Sequence, residues 1–340
     1  MLHFFSARAL RRFSLTCFTA ALALAIFNAT ASAKNVAQNH DKHRAKILAG
    51  YFEEWSIYYA GYNVANLQQN GVAGKLTHLL YAFANVTAPA GGTPGGCGIA
   101  DPWADYQSPY LPSVNGNPYT SPLYGNFAAL LQLKGLHPKL KVLISLGGAS
   151  PTNTANFVTA AQTQAGRKAL ASSCIDMFIK GNIAPGITAP DLFDGVNIDW
   201  EFPTAADKEN FTLLLDEFRD QLDTLGATTG KHYELSFDGP AGSQNYTNID
   251  LAAAARQVDF ITIDGYNYAG SWDNVTNHAS PLFDSRQNPL FGQGLDINST
   301  VNAYLKAGVP ARKYVMGVPL YGAGWSDVPN MHQRTLSDGP

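Results

Sequence analysis

The stretch Asp194-Gly195-Val196-Asn197-Ile198-Asp199-Trp200-Glu201-Phe202-Pro203 alternates polar and apolar side chains with a period of two. Residues two apart on a strand share a face, so Asn197, Asp199 and Glu201 fall on one side and Val196, Ile198 and Trp200 on the other. The apolar set suits packing under helices, which turns the polar set toward the inside of the sheet. Burying two carboxyl groups and an amide is costly unless they bond one another or a ligand. Carboxyls this close titrate as a coupled pair, so one is held protonated near neutral pH and can serve as a general acid.

Outward from this stretch, apolar runs recur at 46–51, 76–86, 140–146, 193–200, 233–237, 258–263 and 314–318. Runs apolar on both faces suit buried parallel strands. Between them, Phe211, Leu214, Leu215, Phe218, Leu222 and Leu225 keep helical spacing, and 126–134, 167–180 and 298–305 behave similarly. The alternation predicts an α/β fold, a TIM (β/α)8 barrel, with Glu201 at the C-terminal strand end where such barrels carry their sites. A Gly/Pro-rich loop, 88–124, follows the second run at that same end. After Val318 the chain reads Pro-Leu-Tyr-Gly-Ala-Gly-Trp325 and then turns polar, so strand eight is expected to be missing, and either the barrel is open or the sequence is a fragment. The expected parts are an export signal (1–33), a polar lead (34–44), the barrel (45–325) and a closing segment (326–340).

The first segment carries Arg8, Arg11 and Arg12, a largely apolar stretch from Phe13 to Phe27, and Ala31-Ser32-Ala33 as a cleavage pattern. Its unbroken apolar run, Ala20 to Phe27, is too short to span a bilayer. Arg11-Arg12 hints at the twin-arginine route, but the following residues fit it poorly. The expectation is secretion, extracellular or periplasmic, with the mature chain starting at Lys34 and free of the membrane. Cleavage removes three arginines and no acids, taking the formal charge from −3 to −6. With no basic run beyond the signal, nucleic acid and anionic surfaces are excluded as partners. Export permits a Cys97–Cys174 disulfide, yet Cys174 lies in an amphipathic stretch where a buried free thiol is expected. No Cys/His grouping has metal-ligand spacing, and His78, inside an apolar run, reads as a core histidine.

An acid without a second carboxyl across the substrate departs from ordinary two-carboxylate glycoside hydrolysis and fits the substrate-assisted exception. The motifs agree. Asp194, Asn197, Asp199 and Glu201 occupy an Asp-x-x-Asp-x-Asp-x-Glu pattern, and Ser145-x-Gly147-Gly148 ends the third run. Gly50-Tyr51-Phe52, Tyr81-Ala-Phe83-Ala, Pro240-Ala-Gly242, Tyr266-Asn-Tyr-Ala-Gly-Ser-Trp272-Asp273 and Pro319-Leu-Tyr321-Gly322 mark five further strand ends. From Lys46 onward the chain resembles a bacterial chitinase of glycoside hydrolase family 18.

The resemblance implies an endo-acting hydrolase of chitin or N-acetylglucosamine oligosaccharides, monomeric and without metal or cofactor. It implies Glu201 as acid and then base, Asp199 holding the substrate's acetamido N–H, and Tyr266 aiming its carbonyl. Ser145 would support Asn197, while Asp194, Gly147 and Gly148 would be structural. Tyr51, Phe83, Ser145, Trp103, Asn267, Trp272, Asp273, Tyr321 and Trp325 are the expected substrate contacts, with Trp55 as a further stacking surface. Trp200 alone should point outward. The resemblance also implies a small insertion after the seventh strand, of which 326–340 would be only the opening.

Several positions depart from the family. Asn197 and Asn267 replace aspartates, Asp264 a methionine and Asp238 a small residue; Ala149 and Ala323 replace a common Trp and Arg. Asn197 is expected to hydrogen-bond Asp199, and the two added acids to offset the two lost. The competing readings are a silent chitin-binding lectin of the same fold and an endo-β-N-acetylglucosaminidase.

Overall fold

The seven apolar runs become seven parallel strands: β1 (Ala49–Glu53), β2 (His78–Val86), β3 (Lys141–Gly147), β4 (Gly195–Asp199), β5 (Glu234–Gly239), β6 (Phe260–Ile263) and β7 (Tyr314–Met316). They pair in chain order. This computed structural model describes residues 46–92, 95–326, 328 and 331. The expected export signal and polar lead, and most of the closing segment, lie outside the described residues. Among those described, β1 and β7 each pair with one parallel neighbour, so the sheet is a curled, open barrel. A short antiparallel strand, Cys97–Ile99, borders the far end of β2.

The crossovers supply the helices that cover the outer face: α1 (Val64–Gln69), α2 (Gly125–Leu136), α3 (Pro151–Ala161), α4 (Gln164–Cys174), α5 (Lys208–Thr229), α6 (Leu251–Gln257) and α7 (Ile297–Lys306). The predicted helix over 167–180 splits into α4 and a wider turn at Ile175–Ile179. Helix α5 buries Phe211, Leu214, Leu215, Phe218 and Leu222 and ends at Gly230, whose φ of 70° is the left-handed cap that glycine adopts without strain. Outward strand residues such as Val142, Ile144, Val196, Ile198, Trp200 and Phe237 join these helices in one apolar shell. Trp200 stacks on Phe157 of α3 with ring centroids 5.3 Å apart and touches Phe211 of α5.

The inward residues form layers, as a barrel interior requires. At the N-terminal end His78 bonds Glu234 at 2.7 Å, which satisfies the core histidine expected there. Above them Leu80, Leu143 and Phe260 make a small apolar plug, separate from the outer shell. The next layer is polar, with Ser145, Asn197 and Ser236 aligned across β3, β4 and β5. The layer at the C-terminal mouth is acidic.

The cysteines correct an expectation. Cys97 and Cys174 are joined in a disulfide, with Cα atoms 4.9 Å apart. The hairpin that lays Cys97 against the end of α4, where its N–H donates to Ser173 Oγ, has no signature in the amphipathic pattern around Cys174. The bond closes a separation of 77 residues. Replacing both cysteines by serine is expected to lower unfolding free energy by about 2–5 kcal/mol. Urea unfolding checks this; a loss below about 0.5 kcal/mol would count against the constraint.

Candidate active site

Asn197 sits at the centre of the polar layer. Its Oδ1 accepts from Ser145 Oγ at 2.7 Å and from the Tyr51 hydroxyl at 3.3 Å, and its Nδ2 donates to Ser236 Oγ at 2.9 Å. The Tyr51 hydroxyl also meets Thr262 Oγ1 at 3.1 Å. The expected Asn197–Asp199 bond is therefore absent, because both ends of the amide are taken by neighbouring strands in its own layer. Asp199 is 5% exposed, and its Oδ1 has no protein partner.

The close approach of the β3 and β4 strand ends requires glycine. Gly147 lies opposite Asp199, with φ at 113°, and a Cβ there would collide with the Asp199 carbonyl oxygen. The Gly148 N–H donates to that carbonyl at 3.0 Å. A Cβ on Gly148 would meet the Phe83 ring, so the double glycine serves both the strand end and the cleft wall. At the other end of β4, Asp194 accepts from the Val142 N–H at 2.8 Å and pairs with Lys134 at 2.8 Å, a structural anchor.

Glu201 follows β4 and lines a cavity of about 290 Å³ with Tyr266, Asn267, Trp272 and Asp264. Burial pushes the Glu201 carboxyl above its ordinary range. Asp199 is raised well above its own, by burial first and then by the charges of Glu201 and Asp264. Asp264 is pushed up to about 7, chiefly by burial, although its hydrogen bond from Tyr266 lowers it. Asp238 is raised well up by burial and by Asp264, Asp199 and Glu201. Four carboxyls thus share one mouth; burial raises all four, and like charge adds to the rise at Asp199, Asp238 and Asp264. Among the described residues no group of His, Cys, Asp or Glu has the arrangement of a metal site.

The sequence profile described as Glycosyl hydrolases family 18 matches residues 47–339. The chain belongs to this family. Chitinase A1 of Niallia circulans is 33% identical over 82% of this family 18 chain and 42% of its own length. Chitinase 1 of Aphanocladium album is 36% identical over 81% of this chain and 60% of its own. The chain spans about half the length of the curated relatives it matches. A fungal relative fits as well as a bacterial one, so the family is shown and the bacterial kind expected above is not. The solved catalytic domain of psychrophilic chitinase B from Arthrobacter TAD20 is 34% identical with a TM-score of 0.72, covering 80% of this chain and 70% of that one.

Of the expected contacts, Tyr266, Asn267 and Trp272 meet at the cavity with Glu201. Trp272 is 59% exposed, an open stacking face. The Tyr321 ring lies 6.0 Å from Tyr266, and its hydroxyl donates to Asn267 Oδ1 at 2.8 Å. Asn267 has a φ of 57°, a left-handed position that Asn tolerates well. Phe83 stacks on Trp55 at 5.8 Å, and Trp103 meets Tyr110 at 6.1 Å, so each lies in a separate aromatic pair outside the cavity lining. Asp273 instead closes a turn by accepting from the Gly270 N–H at 2.9 Å, and Trp325 is half-buried outside the cavity lining. Gln244 and Asn245 line the cavity from a short helix after β5, Ser243–Tyr246, and Thr262 ties Tyr51 to Asp238. Sequence reading passed over all three residues; the Pro240-Ala-Gly242 motif just before Gln244 was the available signal.

Proposed function

We propose that this family 18 chain is an exported chitinase that hydrolyses β-1,4 bonds between N-acetylglucosamine units with net retention. The observation that carries the reading is Glu201, a partly buried carboxyl whose pKa burial raises, lining one cavity with Tyr266 and an exposed Trp272. Indole faces suit sugar rings, and a proton kept by burial suits a general acid. The chitinase names of its relatives point the same way. The small-residue pattern Ala31-Ser32-Ala33 behind an apolar stretch supports export.

In this scheme Glu201 gives its proton to the glycosidic oxygen, and the leaving sugar departs as an alcohol. The substrate's acetamido oxygen attacks the anomeric carbon from the opposite face, which forms an oxazolinium ion. Asp199 faces the acetamido N–H and offsets the developing positive charge, while the Tyr266 hydroxyl aims the carbonyl. Water then attacks the anomeric carbon, loses its proton to Glu201, and the acetamido group is restored.

The test is to incubate the mature chain with N-acetylglucosamine hexamer and, separately, with an N-linked glycan, following the first products by proton NMR. The expected result is shorter oligomers from the hexamer, released initially as the β-anomer, with the glycan untouched. Glycan cleavage would mark an endo-β-N-acetylglucosaminidase. Binding without cleavage would mark a lectin.

A further inference from the structure

The acidic layer has a composition that the scheme above does not use. Register pairs Ile198 of β4 with Phe237 of β5, so Asp199 and Asp238 are the next residues on adjacent parallel strands. Adjacent strands lie about 4.8 Å apart. Asp238 is opposite Thr262 of β6, whose Oγ1 is 3.1 Å from Asp238 Oδ1. Asp264 follows Thr262 by two residues on the same inward face, with its N–H donating to the Gly239 carbonyl at 2.9 Å. Asp264 is 7% exposed. The three aspartates therefore form a staggered row: Asp199 and Asp238 stand side by side at the end of β4 and on β5, and Asp264 lies one inward position past Thr262 just beyond β6, with Glu201 at the rim.

Asn197 is committed below this row to Ser145, Ser236 and Tyr51, so it contributes neither a proton nor a hydrogen bond to Asp199. The groups that interact with the row are titratable but not cationic: Tyr51 from β1, Glu201 beyond β4, Tyr266 beyond β6 and Tyr321 beyond β7, with Tyr304 of α7 acting through charge from the outer face. No cation acts on Asp199 or Asp264 among the described residues. A buried row of acids without a counter-ion cannot ionise throughout, so its members must share protons.

We propose that Asp238 and Asp264 are positioning residues that set the charge on Asp199, doing from neighbouring strands what Asn197 cannot do from its own. The inference rests on the reading of Asp199 as the group that stabilises the reacting acetamido. It assigns the two acids to the reaction's pH dependence rather than to the packing of the mouth. Asp199 must lose its proton to act, and each like carboxyl beside it opposes that loss. Taking either neighbour away eases ionisation, so the acid limb of the activity profile must move to lower pH.

The experiment compares D238N, D264N, the double variant and N197D/D238N/D264N with the native chain. It measures kcat and KM on the hexamer between pH 4 and 9, together with carboxyl ¹³C titration of labelled aspartate. The Asp199 resonance is assigned by its loss in D199N. Each single variant is expected to move both the acid limb and the Asp199 titration down by about one pH unit or more. Adding N197D to the double variant should restore both toward the native values. Unmoved Asp199 titrations overturn the proposal, as does a kcat lowered equally at every pH, and so does unfolding of both single variants. If the native chain cleaves no hexamer, the functional reading fails while the carboxyl titration still decides this one.

Discussion

Glu201→Gln is expected to lower hexamer turnover by about 10²–10⁴-fold, the range for removing a positioned acid–base group. Glutamine keeps the size and hydrogen-bonding reach of the side chain but has no proton to give the leaving oxygen. It also cannot take one from the incoming water, so both halves of the cycle suffer. Only the carboxyl at the cavity mouth changes; the Glu201 carbonyl still accepts from Thr154 Oγ1 at 2.5 Å and the Asp199 carbonyl still meets Gly148. Hexamer affinity, measured by calorimetry, should therefore stay within a few-fold. Native-like turnover in this variant would remove Glu201 from the mechanism.

The second large effect is at Asp199. Asp199→Asn preserves the shape of a side chain that is 5% exposed, but it removes the negative charge. Positive charge on the acetamido group exists only near the transition state, so the loss should appear in kcat, by about 10²–10³-fold, with KM little changed. The Asp199 carboxyl has a buried Oδ1 with no protein partner, so no internal hydrogen bond there is broken by the change. Steady-state kinetics on the hexamer at the native pH optimum decide it. A rise in KM at constant kcat would make Asp199 a ground-state binding group instead.

The fold was legible because its strands are apolar on both faces and its helices are apolar on one. Those two periodicities are local properties of 46–51 through 314–318. The alternation in Asp194–Pro203 likewise separates Trp200, which packs under α3 and α5, from Asn197 and Asp199, which face the barrel interior. The disulfide was not legible. Cys97 reaches Cys174 only through a hairpin whose return is set by pairing with β2, a long-range contact that amphipathicity does not record.

The site divides in the same way. Sequence by itself determined which residue types stand at the strand ends, because strand period fixes the face of Asn197, Asp199 and Glu201 before any neighbour is known. It also shows acids at Asp238 and Asp264, which the resemblance to family 18 marks as additional. Only the tertiary structure decided whom each of them meets. Asn197 bonds β1, β3 and β5 instead of Asp199, Asp273 closes its own loop, and Asp238 and Asp264 join Asp199 in one buried row. The physical reason is that a strand's own pattern sets the direction of a side chain, whereas the register between strands sets its partners. In a barrel mouth of low dielectric, those partners determine which carboxyls hold protons.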